Sequence, residues 1–209
     1  MKSSIFILLV VLVALVSLDF IEAQKEKPNK YKTPPPAGIC KKFPIKANGK
    51  QNPKGQCSSQ LLGEVPGVSK MVSTIITLPP NGAKIPAKKS FKIRVLVSNL
   101  QTGFFSDPET DYYDVPQTLT KAGVIQGHAH VTVQKLIGKG VPDPTKFDFF
   151  QGLNERADSK GGLEAIVPGN LTKGLYRLCT MVASESHQPV VMPVAKRGSQ
   201  DDCIRFSIV

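Results

Sequence analysis

The feature that most constrains this chain is the alternation in Phe91–Ser98. Phe91, Ile93, Val95 and Val97 share one side of an extended backbone, and Lys92 and Arg94 point the other way. A period of two, apolar on one side and charged on the other, describes a strand with one face on a core. Similar short runs, rich in β-branched and aromatic residues, occur at Met71–Leu78, Gly127–Leu136, Gly162–Val167, Leu175–Ala183, Val190–Val194 and Cys203–Val209. Gly, Pro and Asn separate them. Seven such runs predict an all-β fold, a two-sheet antiparallel sandwich of immunoglobulin-like type. The long gaps, Leu100–Ala122 and Gly138–Gly161, read as ordered loops with a helical turn over Phe147–Leu153. There is no internal repeat and no strong amphipathic helix. With 41% hydrophobic and 21% charged residues, most of the chain has the apolar content to fold.

Three regions follow. Lys2 precedes an apolar run from Ile5 to Leu18, broken by Ser17, and Ile21-Glu22-Ala23 follows. A basic start, an apolar core and a small residue at the cut describe a signal peptide over residues 1–23. The run is shorter than the roughly 20 residues that span a bilayer, so no transmembrane segment is expected. Residues 24–66 form a Lys/Pro-rich segment, and residues 67–209 form the sandwich domain. Between 24 and 57 there are nine lysines against a single acid, Glu26, within a chain of formal charge +11. Such a segment cannot bury a core and is expected to be flexible and disordered. It reads either as an adhesive arm for polyanions, acidic cell-wall polysaccharide above all, or as a solvated linker. Nucleic acid is not the expected partner, because the chain is exported.

Export changes the meaning of the four cysteines. Cys40, Cys57, Cys179 and Cys203 form two local pairs, and Cys40–Cys57 with Cys179–Cys203 is the expected pairing. Neither pair has the tight spacing of a zinc site. Asn170-Leu171-Thr172 is a glycosylation sequon behind a Pro-Gly turn, so the chain is expected to be a glycoprotein modified at Asn170.

The histidines carry the candidate chemistry. His128 and His130 form His-Ala-His within an expected strand, so both rings leave one face, about 7 Å apart along the chain. With Val131 and Val133 on the core, His128, His130 and Thr132 face outward or line a groove. Two imidazoles on one face are half a copper or zinc site. His187 lies in the turn Ser186-His187-Gln188-Pro189. If that turn folds over the strand, three nitrogens meet, and three ligands with an open position is the arrangement of catalytic zinc. The competing reading is histidines bonded to backbone and to hydroxyls such as Ser184 and Ser186. Other constellations are poorer. There is no Gly-x-Ser-x-Gly elbow for a serine nucleophile. Asp201-Asp202 are neighbours that face opposite ways and read as a loop end. Asp111-Tyr112-Tyr113-Asp114 reads as packing and solvation, with sugar stacking or calcium as the alternative.

Several stretches carry a resemblance. They are Ser98-Asn99-Leu100-Gln101-Thr102-Gly103, Gly127-His128-Ala129-His130-Val131, Phe149-Phe150-Gln151-Gly152-Leu153-Asn154, Gly174-Leu175-Tyr176-Arg177-Leu178, His187-Gln188-Pro189-Val190-Val191 and Gly198-Ser199-Gln200-Asp201-Asp202. Together they resemble an uncharacterised family of small secreted fungal proteins across residues 71–209. The resemblance implies an extracellular role at the host interface of a plant-associated fungus and no established enzyme activity. The expectation is therefore a secreted, extracellular, monomeric, non-enzymatic interaction protein, an effector or cell-wall-associated factor that meets a host protein or acidic polysaccharide. The alternative is a secreted copper or zinc protein using His128, His130 and His187, oxidative or hydrolytic on polysaccharide. A loop-based protease inhibitor is a third reading.

Overall fold

Alternation places Ile93, Val95 and Val97 inward on one strand and Ala129, Val131 and Val133 inward on another, and all six are buried. The computed structural model describes residues 50–57, 62–113 and 115–209. The expected leader, Cys40 and most of the basic segment lie outside them. Nine strands are present among the described residues: β1 (Ser73–Leu78), β2 (Lys84–Ile85), β3 (Phe91–Ser98), β4 (Leu100–Gln101), β5 (Ile125–Lys135), β6 (Phe149–Leu153), β7 (Gly162–Val167), β8 (Gly174–Ser184) and β9 (Cys203–Ile208). The only helical element described is a single 3-10 turn at Val68–Lys70.

The all-β, two-sheet expectation holds. One sheet has the order β1-β3-β7, and the other has the order β2-β9-β8-β5-β4 with β6 also paired to β5. The long ladders are antiparallel, and the short β2–β9 and β4–β5 pairings are parallel. The longest ladder joins β5 to β8, in register from Gly127 opposite Ser184 to Lys135 opposite Tyr176. The core lies between the sheets. Ile93, Val95, Leu163, Ala165 and Val167 meet Ile125, Val131, Leu178, Ile204 and Phe206 there. Burying one such aliphatic or aromatic side chain contributes about 1.5–3 kcal/mol. Tyr176 is fully buried, and its hydroxyl donates to the Thr172 carbonyl four residues upstream at 2.7 Å. Tyrosine corners supply the same kind of tether in other β-sandwiches.

Two local expectations fail. Phe147–Leu153 was expected to make a helical turn, but Phe149–Leu153 pairs with β5 as a strand. An extended edge lay open beside β5, and pairing satisfied its backbone groups. Val190–Val194 is not a strand. Pro189 has no N–H to give a ladder. The buried Gln117 side chain stands in for a partner strand, accepting from Val191 N at 2.8 Å and donating to Val191 O at 3.1 Å.

Polar groups tie the sheets together at one edge. Asp202 Oδ2 accepts from Ile76 N of β1 at 2.8 Å. Asp201 Oδ1 accepts from Val182 N of β8 at 2.8 Å and from the Thr180 hydroxyl at 3.1 Å. The Thr74 hydroxyl lies 3.1 Å from that of Thr180. Asp201-Asp202 therefore closes a loop, as expected, and its two carboxylates reach different strands because adjacent residues face opposite ways. Cys179 and Cys203 face each other across β8 and β9, with Cα atoms 4.1 Å apart, and are joined by a disulfide.

Asp202→Ala leaves Ile76 N, beside a buried side chain, without its acceptor. We expect a loss of about 1–3 kcal/mol in a urea titration. An unchanged midpoint would show that this bond does not hold β1 in place.

Candidate metal centre

β5 is covered on both faces. Its inward residues enter the core, while the His128 and His130 side chains leave the other face of the sheet. Yet His128 is 0% exposed and His130 only 9%. Of the expected placements, outward or lining a groove, the outward one is corrected: the rings lie beneath the chain that follows β4. That chain is stitched down by Phe104 N donating to Gly127 O at 3.2 Å and by Ser106 N donating to Glu185 O at 2.8 Å. β5 approaches β8 closely here. A Cβ at Gly127 would stand 2.1 Å from the Ala183 carbonyl oxygen, so only glycine fits before His128.

His187 arrives from a tight turn after β8. Ser184 N donates to Gln188 O at 2.9 Å, and His187 N donates to Ser184 O at 3.2 Å. His187 has φ 60°, in the left-handed region. A non-glycine residue there costs of order 1–3 kcal/mol, and such strain gathers at working sites. The turn folds the ring back over β5, as the sequence reading required. One ligand atom from each of His128, His130 and His187 lies within 4.8 Å of the others.

The hydrogen bonds determine which nitrogens are free. His128 Nδ1 is 3.0 Å from the Phe104 carbonyl, and His187 Nε2 is 2.8 Å from the Ser106 carbonyl. A carbonyl only accepts, so both of these ring nitrogens carry hydrogen. The opposite nitrogens, His128 Nε2 and His187 Nδ1, are 3.0 Å apart. In neutral rings both present lone pairs, so the contact would be relieved by a hydrogen or another cation shared between them. The Met181 backbone acts on the His130 ring to raise its pKa, against the larger lowering causes. Holding an outer nitrogen on a backbone carbonyl, as at His128 and His187, is how proteins orient metal-binding histidines.

A proton is poorly held on His128 or His130. Burial first, then the His130 and His187 rings, pushes His128 down to about 3. Burial first, then His187, pushes His130 down to about 4. Aromatic rings enclose the cluster. Tyr112 stacks on His187 at 5.4 Å, His187 on His130 at 5.5 Å and His130 on Phe150 at 5.2 Å. His128 stands edge-on to both histidines, with Phe105 edge-on to it at 6.1 Å.

The acidic aromatic loop thus contributes Tyr112 as packing over the site, and Asp114 lies outside the described residues. Asn170 sits exposed in a turn. The Cys40–Cys57 pairing has its first cysteine outside the described residues. Bonds from the rings to backbone were part of the competing sequence reading, but the Phe104 and Ser106 carbonyls could not be named, because backbone groups leave no side-chain signature; the Ser184 and Ser186 hydroxyls lie 3.5 Å from each other. Sequence reasoning missed a surface ion cluster in which Arg94 Nη2 meets Asp158 at 2.7 Å and Nη1 meets Glu164 at 2.6 Å. Hydrogen bonds led by Gly162 N hold Asp158 at about 2, and those led by Lys92 lower Glu164, so neither is a proton donor near neutrality.

Fold and site define a class: an all-β sandwich with a three-imidazole cluster, two of whose residues are buried. The CLU5d N-terminal domain family matches residues 74–209, and the chain belongs to that family. The chain is similar to "Pathogenicity cluster 5 protein d" of the fungus Colletotrichum graminicola, at 45% identity over 165 residues. The match covers 77% of this chain and 34% of that protein, so the chain spans about a third of the relative's length.

The lowered pKa values set a pH response for the metal-free protein. Unfolded histidine takes up protons near 6.5, while the folded rings resist until about 4 and about 3. The unfolded state then binds more protons, so stability falls as pH drops below 6.5. The thermal midpoint should decrease from pH 7.5 to pH 5. Replacing His128 and His130 with glutamine should flatten that decrease; an equally steep decrease in the variant would mean other groups cause it.

Proposed function

We propose that this chain is a secreted, virulence-related fungal protein whose sandwich domain binds one copper or zinc ion through His128, His130 and His187. The carrying observation is the 3.0 Å contact between two ring nitrogens whose partner nitrogens are both committed to carbonyls. Two nitrogens on one ion at about 2.0–2.1 Å sit roughly 3.3–3.4 Å apart at tetrahedral angles. They sit roughly 2.8–3.0 Å apart at the right angles of tetragonal copper. The observed 3.0 Å meets the right-angle spacing and is about 0.3 Å short of the tetrahedral one. An all-imidazole donor set suits Cu, Zn, Ni and Fe and does not suit Ca or Mg.

Secretion is supported by the apolar leader in the sequence and by the Cys179–Cys203 disulfide, which oxidising compartments maintain. The virulence link rests on the name of the fungal relative. In this reading Asn170 is glycosylated, and the basic segment meets acidic polysaccharide or a host protein. The ion makes the histidine cluster a metal-dependent structural or reactive centre within an interaction protein. Three protein ligands leave a position for water or another donor.

Elemental analysis of protein made without an affinity tag tests the reading. About one Cu or Zn per chain is expected in the wild type, falling to near none in His128→Gln and His187→Gln, since loss of one of three ligands should weaken binding at least about a hundredfold. A correctly folded wild-type chain that stays metal-free in excess Cu and Zn would overturn it.

A further inference from the structure

The three imidazoles do not by themselves choose between copper and zinc. The sheet register supplies the residue that does. Antiparallel partners share a face, and the residue opposite His130 on β8 is Met181. Its side chain therefore leaves the sheet on the imidazole side, while its neighbours Thr180 and Val182 turn inward and are buried. On the other flank of His130, across β6, stands Gly152, which has no side chain. Met181 is thus the one cross-strand neighbour of His130 that can offer a donor atom.

Its environment is unusual for a packing residue. Met181 is 45% exposed, although it adjoins a ring that is 9% exposed. Phe105 and Phe150, at 46% and 47%, edge onto or stack with the histidines from the same side. The Met181 backbone also acts on the His130 ring, as expected for residues paired across the ladder. Directly opposed residues have Cβ atoms about 4.5–5.5 Å apart, and methionine's unbranched chain has three rotatable bonds with which to cross that gap.

We infer that Met181 supplies a thioether as the fourth donor to the three-histidine centre and thereby makes it a copper(I)-selective site. This rests on the metal-binding reading given above. A thioether is a soft ligand that favours Cu(I) and offers zinc little, since zinc draws on thiolate, imidazole and carboxylate. Among the described residues no carboxylate joins the three-imidazole group, which also suits the lower charge of Cu(I).

Met181→Leu separates the claims, because the exchange conserves volume at a half-exposed position. Cu(I) affinity is read by competition with a chromophoric chelator, and zinc affinity by competition with a fluorescent one. The variant should bind Cu(I) at least about tenfold more weakly and zinc within about threefold of wild type. X-ray absorption of the Cu(I)-loaded wild type should show a sulfur scatterer that the variant lacks. Equal Cu(I) affinities, equal weakening toward both metals, or nitrogen scatterers only in the wild type would each overturn the role of Met181 while leaving the three-histidine centre intact. A wild type that binds neither metal would overturn both.

Discussion

The β5–β8 ladder is the constraint on which the rest depends. Its nine registered pairs carry Ala129, Val131 and Val133 into the core on one face and His128 and His130 out on the other. Slipping that register by one residue would turn the valines outward and the imidazoles into the core. The same ladder ends at Ser184, where the turn carrying His187 begins. Two of three ring positions are therefore set by strand pairing and the third by the turn that the pairing launches. Gly127 is the point of closest approach, and its missing side chain lets the strands meet beside the histidines.

What lies over the ladder makes the cluster a site and not a surface. The chain after β4 brings the Phe104 and Ser106 carbonyls to the outer nitrogens of His128 and His187. Those two bonds fix the tautomers, and the tautomers leave two lone pairs facing each other. Burial among these rings raises the cost of a proton on His128 and His130.

Much of this was legible in the residues. Period-two alternation in Phe91–Ser98 and Gly127–Leu136 predicted strands that are present, and His-Ala-His on one face follows from the same periodicity. Cys179 with Cys203 followed from their spacing, and the structure joins them. Other features were hidden for physical reasons. Burial of His128 comes from a loop whose path no periodicity encodes. β6 carries Phe149, Phe150 and Leu153 without alternation, because an edge strand over a second covered face has no single polar side. Val190–Val194 looks β-branched enough for a strand, yet a glutamine side chain took the place of its partner. Met181 looked like one apolar residue in a strand until the register set it opposite His130.

The central claim is that His128 Nε2 and His187 Nδ1 both lack hydrogen and together hold a cation. Nitrogen-15 NMR of the imidazole rings tests it directly. At neutral pH the metal-free protein should show protonated His128 Nδ1 and His187 Nε2 opposite two unprotonated nitrogens, and adding one equivalent of Cu(I) or Zn(II) should shift those two unprotonated resonances most. A proton found on His128 Nε2 or His187 Nδ1 under these conditions, or resonances unmoved by metal, would contradict the account.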